Sequence, residues 1–323
     1  MKSNEPRDGK LSLFSLTWPI FLEFFLFMLM GLADTFMLSA VSDNAVAGVG
    51  TANQYIQIAI LLLGVVGIGA SIIVAQYIGA KKLVDATKIA ALSVSLNLIV
   101  GFIMSGLFLI FSGKIMEMMN LKGEVLEFAQ SYLAIVGGFL FLQAIITTIA
   151  AIVRVRGWTK QAMYVSLGMN ILHVILNYVL IFGKFGFPEM GVEGAAWSSV
   201  ISRAAAAIVF VWLLTQALEV KVKLKNFVTW STDYVKKILR IGIPSAFEQI
   251  LYQTSQIVLL YYVTYVGAEA LTARQYAMNI SMFIYLFAMA IGTGTAIIIG
   301  RYVGAGDKDL AYDQVWSSVK AAL

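Results

Sequence analysis

Residues 11–40 read LSLFSLTWPIFLEFFLFMLMGLADTFMLSA, and this apolar run is long enough to cross a bilayer although it contains two carboxylates, Glu23 and Asp34. A helix turns by about 100° per residue, so the step from Glu23 to Asp34 brings both side chains to nearly the same face. A carboxylate near the bilayer centre costs about 2.5–3.5 kcal/mol on insertion scales. The run therefore predicts a transmembrane helix with one face turned toward water or toward the interior of the protein.

The composition places the whole chain among polytopic membrane proteins. Hydrophobic residues make up 60% of its 323 residues and charged residues 13%, which is outside the range of soluble domains. The net charge of +5 comes from Lys and Arg in short loops between apolar runs, so it reflects membrane topology and predicts no nucleic-acid partner. With 0 Cys, disulfides and thiolate metal sites are excluded.

Runs of about 20 apolar residues predict eight transmembrane spans. Lys and Arg cluster in alternate loops, which predicts a multi-pass protein of the cell membrane with a cytoplasmic N-terminus. A ninth run starts near Leu310, and we interpret it as the opening of a further span in a chain truncated at its C-terminus. The predicted spans are 13–38, 52–79, 88–112, 126–152, 161–182, 193–217, 238–264 and 276–301.

The sequence repeats itself at an offset of 225 residues. Six predicted spans separate the two starts, so both copies enter the membrane in the same direction, as in transporters whose two bundles are related by an axis along the membrane normal. We therefore expect an N-lobe of six helices at 1–217, a cytoplasmic linker at 218–237 and a partial C-lobe at 238–323. The matched pairs include Pro19 and Pro244, Glu23 and Glu248, Gly67 and Gly292, Gly69 and Gly294, Tyr77 and Tyr302, and Gly79 and Gly304.

Polar residues in the N-lobe spans predict an ion or proton site. Asn170, His173 and Asn177 share one face of the fifth span, and His173 is the chain's only histidine. It is either a hydrogen-bonded packing residue or an ionisable group of the transport machinery. Asp34, Asn177 and Ser199 lie at a similar depth and predict a proton network or a Na⁺ site, although such groups also hold helices together.

A second set of polar residues predicts the lining of a substrate cavity. Glu248 and Tyr252 share a helical face, as do the neighbouring glutamines of the same span. Arg203 lies deep in the sixth span and needs a counter-charge, for which Glu23 or Asp34 is the candidate, in a structural or a functional ion pair. The predicted cavity residues are Glu23, Asn53, Gln57, Arg203, Glu248, Tyr252, Gln253 and Gln256.

Motifs of common enzymes are missing from the sequence. It has no Gly-x-Ser-x-Gly elbow, no His-Glu-x-x-His and no phosphate-binding Gly-x-x-x-x-Gly-Lys loop, so neither hydrolysis nor ATP-driven transport is indicated. A membrane enzyme that uses His173 as a general base is a remaining alternative. We expect an ion gradient as the energy source and no cofactor beyond H⁺ or Na⁺ as the coupling ion.

Five short segments carry a family pattern. They are Pro19-x-x-x-Glu23 followed by GLADT at 31–35, YIGAK at 77–81, NYVLIFG at 177–183, GVEGAA at 191–196 and GIPSAFEQ at 242–249. Together with the repeat they resemble the multidrug and toxic compound extrusion (MATE) transporters over nearly the whole chain. The resemblance implies an all-α polytopic membrane protein with a six-helix N-lobe bundle and the first two to three helices of a pseudo-two-fold related C-lobe.

The resemblance also implies a function. It predicts a monomeric exporter, surrounded by membrane lipid, that exchanges cationic amphiphilic compounds for H⁺ or Na⁺ by alternating access. A flippase for lipid-linked or polysaccharide precursors is the alternative within the same superfamily, and several inward-facing Arg or Lys would favour it.

Individual site residues follow from the same resemblance. Asp34 matches the first-helix acid on which cation coupling depends, and Glu248 resembles the seventh-helix acid of some members. Asn177 stands where many members carry a second acid, His173 where they often carry Asn, and Ser199 near a sixth-helix hydroxyl. These departures favour protonation of Asp34 or His173 over a Na⁺ site in the N-lobe.

Overall fold

The computed structural model describes residues 11–218 and 224–322, and every regular element in these ranges is helical. A single 3-10 turn, Lys184–Gly186, interrupts the otherwise α-helical order. Part of the predicted linker 218–237 lies outside the described residues. The helices are α1 Leu13–Ser39, α2 Asp43–Gly79, α3 Leu83–Met118, α4 Gly123–Gly138, α5 Leu140–Val155, α6 Thr159–Ile181, α7 Gly191–Ala217, α8 Leu224–Val228, α9 Thr232–Val266, α10 Ala268–Ala305 and α11 Lys308–Ala322.

Most of the predicted spans correspond to long apolar helices. Within the described residues, six helices are long and apolar enough to cross a membrane, and the pair α4 and α5 counts as a seventh. The predicted span 238–264 falls in α9, which is 35 residues long but is not among them. The glutamate and three glutamines at 248–256 lower its hydropathy, so the eighth predicted span stays a prediction.

The fourth predicted span is broken instead of straight. α4 and α5 meet at an angle of 49°, directly after Gly137 and Gly138. A Cβ on Gly137 would lie 2.8 Å from Cβ of Phe108, and a Cβ on Gly138 would lie 2.6 Å from Leu109. The two glycines therefore let the bend pack closely on α3, which a residue with a side chain would prevent.

The N-lobe, α1 to α7, has an apolar cluster near each end and a polar layer between them. We call the end where α1 begins the Leu13 side and the end where it finishes the Ser39 side. Ile89 and Ile152 belong to the cluster on the Leu13 side, and Leu133 and Leu140 to the cluster on the Ser39 side. The polar layer consists of buried or partly buried residues on α1, α3, α5, α6 and α7, among them Asp34, Asn97, Thr148, Asn170, His173, Asn177, Ser199 and Ser202.

Contacts between α2 and α10 confirm the pseudo-two-fold relation between the repeats. A Cβ on Gly79 would overlap the backbone oxygen of Arg301, and a Cβ on Gly304 would overlap the backbone oxygen of Gln76. Arg301 is the repeat equivalent of Gln76, and Gly304 of Gly79, so the 225-residue shift exchanges the two contacts. The two helices cross with their backbones almost touching because both positions are glycine.

A second exchanged pair lies nearby. Gly69 on α2 packs against the backbone of Ile238 on α9. A Cβ on Gly294 of α10 would lie 3.6 Å from Cδ1 of Leu13 on α1, and Ile238 is the repeat equivalent of Leu13. These contacts all lie on the Leu13 side. On α9, nearly all side chains from Phe247 to Tyr262 are exposed. The glycine contacts between the two repeats therefore lie on the Leu13 side.

Candidate functional site

Asp34 is the centre of a hydrogen-bond network between α1 and α6. Its Oδ1 lies 2.6 Å from Nε2 of His173 and accepts a hydrogen bond of 2.6 Å from Nδ2 of Asn177. His173 and Asn177 are fully buried, while the side chain of Asp34 is 13% exposed. Behind the ring, Nδ1 of His173 lies 3.4 Å from Oγ of Ser202 on α7. His173 of α6 thus connects the carboxylate of Asp34 on α1 with the hydroxyl of Ser202 on α7.

The geometry of this network permits proton exchange. A carboxylate and an imidazole at 2.6 Å can share a proton. Which of the two ring nitrogens of His173 carries the proton depends on the hydrogen bond that the other nitrogen makes. Asp34 is the exposed member, so a proton reaches it before it reaches the buried ring. Asn177 Oδ1 is buried and has no hydrogen-bond partner among the described residues. Because Asn nitrogen and oxygen are assigned from the network, a protonated Asp34 could instead donate to that oxygen.

The hydrogen-bond contacts of Asp34 among the described residues are with nitrogen atoms and not with oxygen ligands. A hard cation needs several oxygen ligands, whereas Oδ1 of Asp34 already faces two nitrogen donors. The positively charged Arg203 is close enough to Asp34 for electrostatic interaction, which further disfavours a second cation.

Ser199 and Asn53 meet through a residue that the sequence reasoning missed, Tyr132. The buried Tyr132 hydroxyl lies close to the side chains of Ser199 and Asn53, and the phenol interacts electrostatically with Asp34 and Arg203. A tyrosine inside a predicted span was the available signal, because a buried phenol needs a hydrogen-bond partner. Tyr132 thereby adds α4 to the polar layer, and Asn53 adds α2.

Glu23 occupies a different position from the one expected for a cavity residue. It is buried, its Oε2 accepts a hydrogen bond of 2.9 Å from Nη1 of Arg154, and its Oε1 accepts one of 3.1 Å from Ser166. The structure therefore pairs Glu23 with Arg154 and not with Arg203. Asp34 is not within ion-pair distance of Arg203 either, because its carboxylate is turned to His173.

The remaining predicted cavity residues lie on α2 and α9. Gln57 is exposed on α2. On α9, Glu248, Tyr252 and Gln253 are exposed, and Gln256 accepts a hydrogen bond of 3.2 Å from Arg274. Tyr252 stacks on Tyr285 of α10 with a ring-centroid distance of 6.1 Å. In the described residues, no hydrogen bond or ion pair joins the α9 side chains to Asp34.

A multi-pass helical protein with two related repeats and a polar layer inside one lobe has the architecture of a membrane transporter. The MatE family model matches residues 19–179 and 244–323, and the chain belongs to the MatE family. Members of this family are transporters and not enzymes, which removes the membrane-enzyme alternative.

Individual relatives agree with this assignment. The "Uncharacterized transporter YisQ" of Bacillus subtilis is 41% identical over 319 residues, which are 99% of this chain and 70% of that protein. The "Probable multidrug resistance protein NorM" of Thermotoga maritima is 32% identical over 96% of this chain and 66% of its own length. The chain thus spans about two thirds of the relatives it matches.

A solved structure shares the fold. It is described as the "Outward-facing conformation of a multidrug resistance MATE family transporter of the MOP superfamily", and it superposes with a TM-score of 0.86 at 23% identity. The match covers 96% of this chain and 68% of that one. The likeness confirms the predicted MATE-like fold class.

Proposed function

We propose that this protein is a proton-coupled exporter of small amphiphilic organic compounds in the cell membrane. The observation that carries the proposal is the contact of 2.6 Å between Asp34 and His173 in the polar layer of the N-lobe. An ionisable group inside a membrane bundle is costly, so its presence points to a functional role. Here His173 lies beside Asp34, whose side chain is partly exposed. The family relatives named as multidrug resistance proteins support the cargo class.

Protonation of Asp34 changes how tightly α1 is held to α6. In the ionised state, His173 and Asn177 both donate to the carboxylate, and hydrogen bonds to a charged acceptor are about twice as strong as neutral ones. A proton on Asp34 removes that charge and one acceptor position. The link between the helices weakens, and a cationic group of the cargo loses its counter-charge. Protonation of Asp34 then has two effects, because it takes up the coupling proton and releases the cargo.

The arrangement of the repeats supports alternating access. The close backbone contacts between them lie on the Leu13 side. With the N-terminus in the cytoplasm, as the distribution of Lys and Arg predicts, these contacts belong to a state closed to the cytoplasm. In that state the exposed edge of Asp34 is offered to external protons, which is the order of events that an antiporter requires.

The outer surface of the N-lobe supports a monomer in lipid. Large apolar side chains are exposed along α3 and α7, for example Phe102, Ile110, Ile208 and Trp212. In a bilayer these positions face acyl chains and need no protein partner.

Transport by the full-length protein in proteoliposomes, with pH and Na⁺ gradients imposed separately, tests the proposal. We expect the pH gradient alone to drive dye export, and Asp34→Asn to abolish that drive. Asp43→Asn is the matched control, because Asp43 is an exposed acid at the start of α2. Export driven only by Na⁺, or unchanged in Asp34→Asn, would overturn the proposal.

A further inference from the structure

The N-lobe encloses two acids, Glu23 and Asp34, and two arginines, Arg154 and Arg203, and among these four described residues only Glu23 and Arg154 form an ion pair with each other. Glu23 is paired with Arg154 at 2.9 Å, and Asp34 is held by His173 at 2.6 Å. This leaves the guanidinium of Arg203, whose Nη1 is buried without a hydrogen-bond partner among the described residues. Arginine keeps its charge in proteins, and a buried charge without a partner is strongly destabilising. The carboxylate of Asp34 balances the charge of Arg203, but it is turned to His173, and Nη1 of Arg203 is left without an acceptor among the described residues.

Arg203 points into the lobe and not toward lipid. Ile201 and Ile208 mark the membrane-facing side of α7, with exposed fractions of 43% and 72%. At about 100° per residue, Arg203 lies on the opposite side of the helix from Ile201. Its electrostatic neighbours are Tyr132 on α4 and Asp34 on α1, so its head group lies within the polar layer.

The surroundings of Arg203 suit an oxyanion. A guanidinium binds a carboxylate through two parallel N–H donors, a geometry that few other side chains provide. The hydroxyl of Tyr132 and the side chains of Ser199 and Asn53 form a group of further polar contacts beside it. Asp34 stands close by as a carboxylate that can attract a positive group. The layer therefore offers one cationic and one anionic anchor to the same molecule.

We propose that Arg203 binds a carboxylate of the cargo and that the N-lobe selects zwitterionic amphiphiles over simple organic cations. The positive group of the cargo lies toward Asp34, where it competes with the coupling proton, and its carboxylate lies on Arg203. This inference rests on the proposed export function and adds the substrate class.

Two fluorescent dyes that differ only in this group test the inference. Tetramethylrhodamine is a zwitterion with a free carboxylate, and its methyl ester is a cation. Binding of each dye to the purified full-length protein is measured by fluorescence anisotropy, and export under a pH gradient is measured separately. We expect the free acid to bind at least about ten-fold more tightly than the ester, and Arg203→Met to remove this preference by weakening binding of the acid.

Two further variants make the result specific. Arg203→Lys keeps the charge but loses the two-pronged geometry, so it should keep only part of the preference and serves in place of Arg203→Met if that variant does not fold. Lys184→Met removes an exposed positive charge on the Ser39 side and should leave the preference unchanged. Equal loss of both dyes in Arg203→Met, preference for the ester, or no binding of either dye would overturn the role of Arg203.

A lipid phosphate is the other oxyanion source in a membrane. If phosphatidylglycerol occupies Arg203, native mass spectrometry will show this lipid retained by the wild type and lost from Arg203→Met while the dye preference stays unchanged, and that result contradicts the inference. Failure of the proposed export function can be distinguished from failure of this inference. In that case the dyes would still show an Arg203-dependent preference in binding, but neither would be exported under the pH gradient.

Discussion

Gly79 and Gly304 stand at equivalent positions of the two repeats, and each packs against the backbone of the residue three places before the other. The pseudo-two-fold relation exchanges these two contacts with each other, so its axis passes between α2 and α10 on the Leu13 side. Because backbone meets backbone, the crossing has no side chain that could move aside. The closed side of the transporter therefore depends on two glycines.

Gly79→Ala should disfavour the state closed on the Leu13 side, since the new Cβ would overlap the carbonyl oxygen of Arg301. Cysteine labelling from the Leu13 side should rise several-fold as the population shifts toward the opposite opening. The matched control is Gly292→Ala on α10, where an added Cβ meets nothing within 4 Å. Unchanged labelling in Gly79→Ala would show that the crossing does not hold this side closed.

Glu23→Gln should destabilise the N-lobe because it leaves Arg154 buried beside a neutral partner. Breaking a buried ion pair by removing one member costs about 3–5 kcal/mol, and thermal unfolding in detergent measures the loss. Ser166→Ala, which removes only a hydrogen bond to the same carboxylate, should cost about 1 kcal/mol. The double variant Glu23→Gln with Arg154→Met should regain part of the stability. If the single variant unfolds at the wild-type temperature, the pair is not structural.

His173→Asn should keep measurable proton-driven export, because an amide can still donate to Asp34. His173→Leu leaves the carboxylate with Asn177 as its remaining donor from α6, and we expect export to fall by about ten-fold or more. Initial export rates at matched protein levels give the comparison. Equal rates in the two variants would show that the hydrogen bond from residue 173 has no part in coupling.

Lys237→Met should weaken the contacts on the Leu13 side from the start of α9. The Lys237 ammonium lies 3.2 Å from the Tyr77 hydroxyl on α2, and its hydrogen bond to Asp233 raises the pKa of Lys237 above the ordinary 10.5. A raised pKa means that this contact is present below the ordinary value and is lost only as the pH rises through the higher one. This contact should therefore cause no change in cysteine labelling from the Leu13 side of the wild type between about pH 5 and pH 9. Lys236→Met, at the neighbouring position, is the control.

Much of the architecture could be predicted from the sequence because it depends on hydropathy and repetition. The span boundaries and the repeat offset follow from patterns that a bilayer imposes on any chain. The bend at Gly137 and Gly138 did not follow, because a glycine pair inside an apolar run is compatible with a straight helix as well. α9 is long enough to cross a membrane, but the polar residues within it lower its hydropathy, so hydropathy alone does not identify it as a span.

The sequence indicated which polar residues share a depth in the N-lobe but not which of them are paired. One helical face and a common depth were enough to group Asp34, Asn177 and Ser199. The partner of Glu23 could not be found in this way, because Arg154 lies 131 residues away at the end of another helix. Pairing between helices depends on their rotation and tilt, and the sequence of one helix does not contain that information. Arg203 was correctly recognised as a charge that needs a partner, yet the structure supplies none of the expected ones.

The central claim is that proton and cargo compete for Asp34, and proton release on cargo binding tests it most directly. Purified full-length protein in weakly buffered solution, at a pH where export is proton-driven, is mixed with saturating tetramethylrhodamine while the pH is followed. The account predicts release of up to about one proton per protein in the wild type and none in Asp34→Asn, with Asp43→Asn behaving as the wild type. Cargo binding without proton release, or equal release from Asp34→Asn, would contradict it.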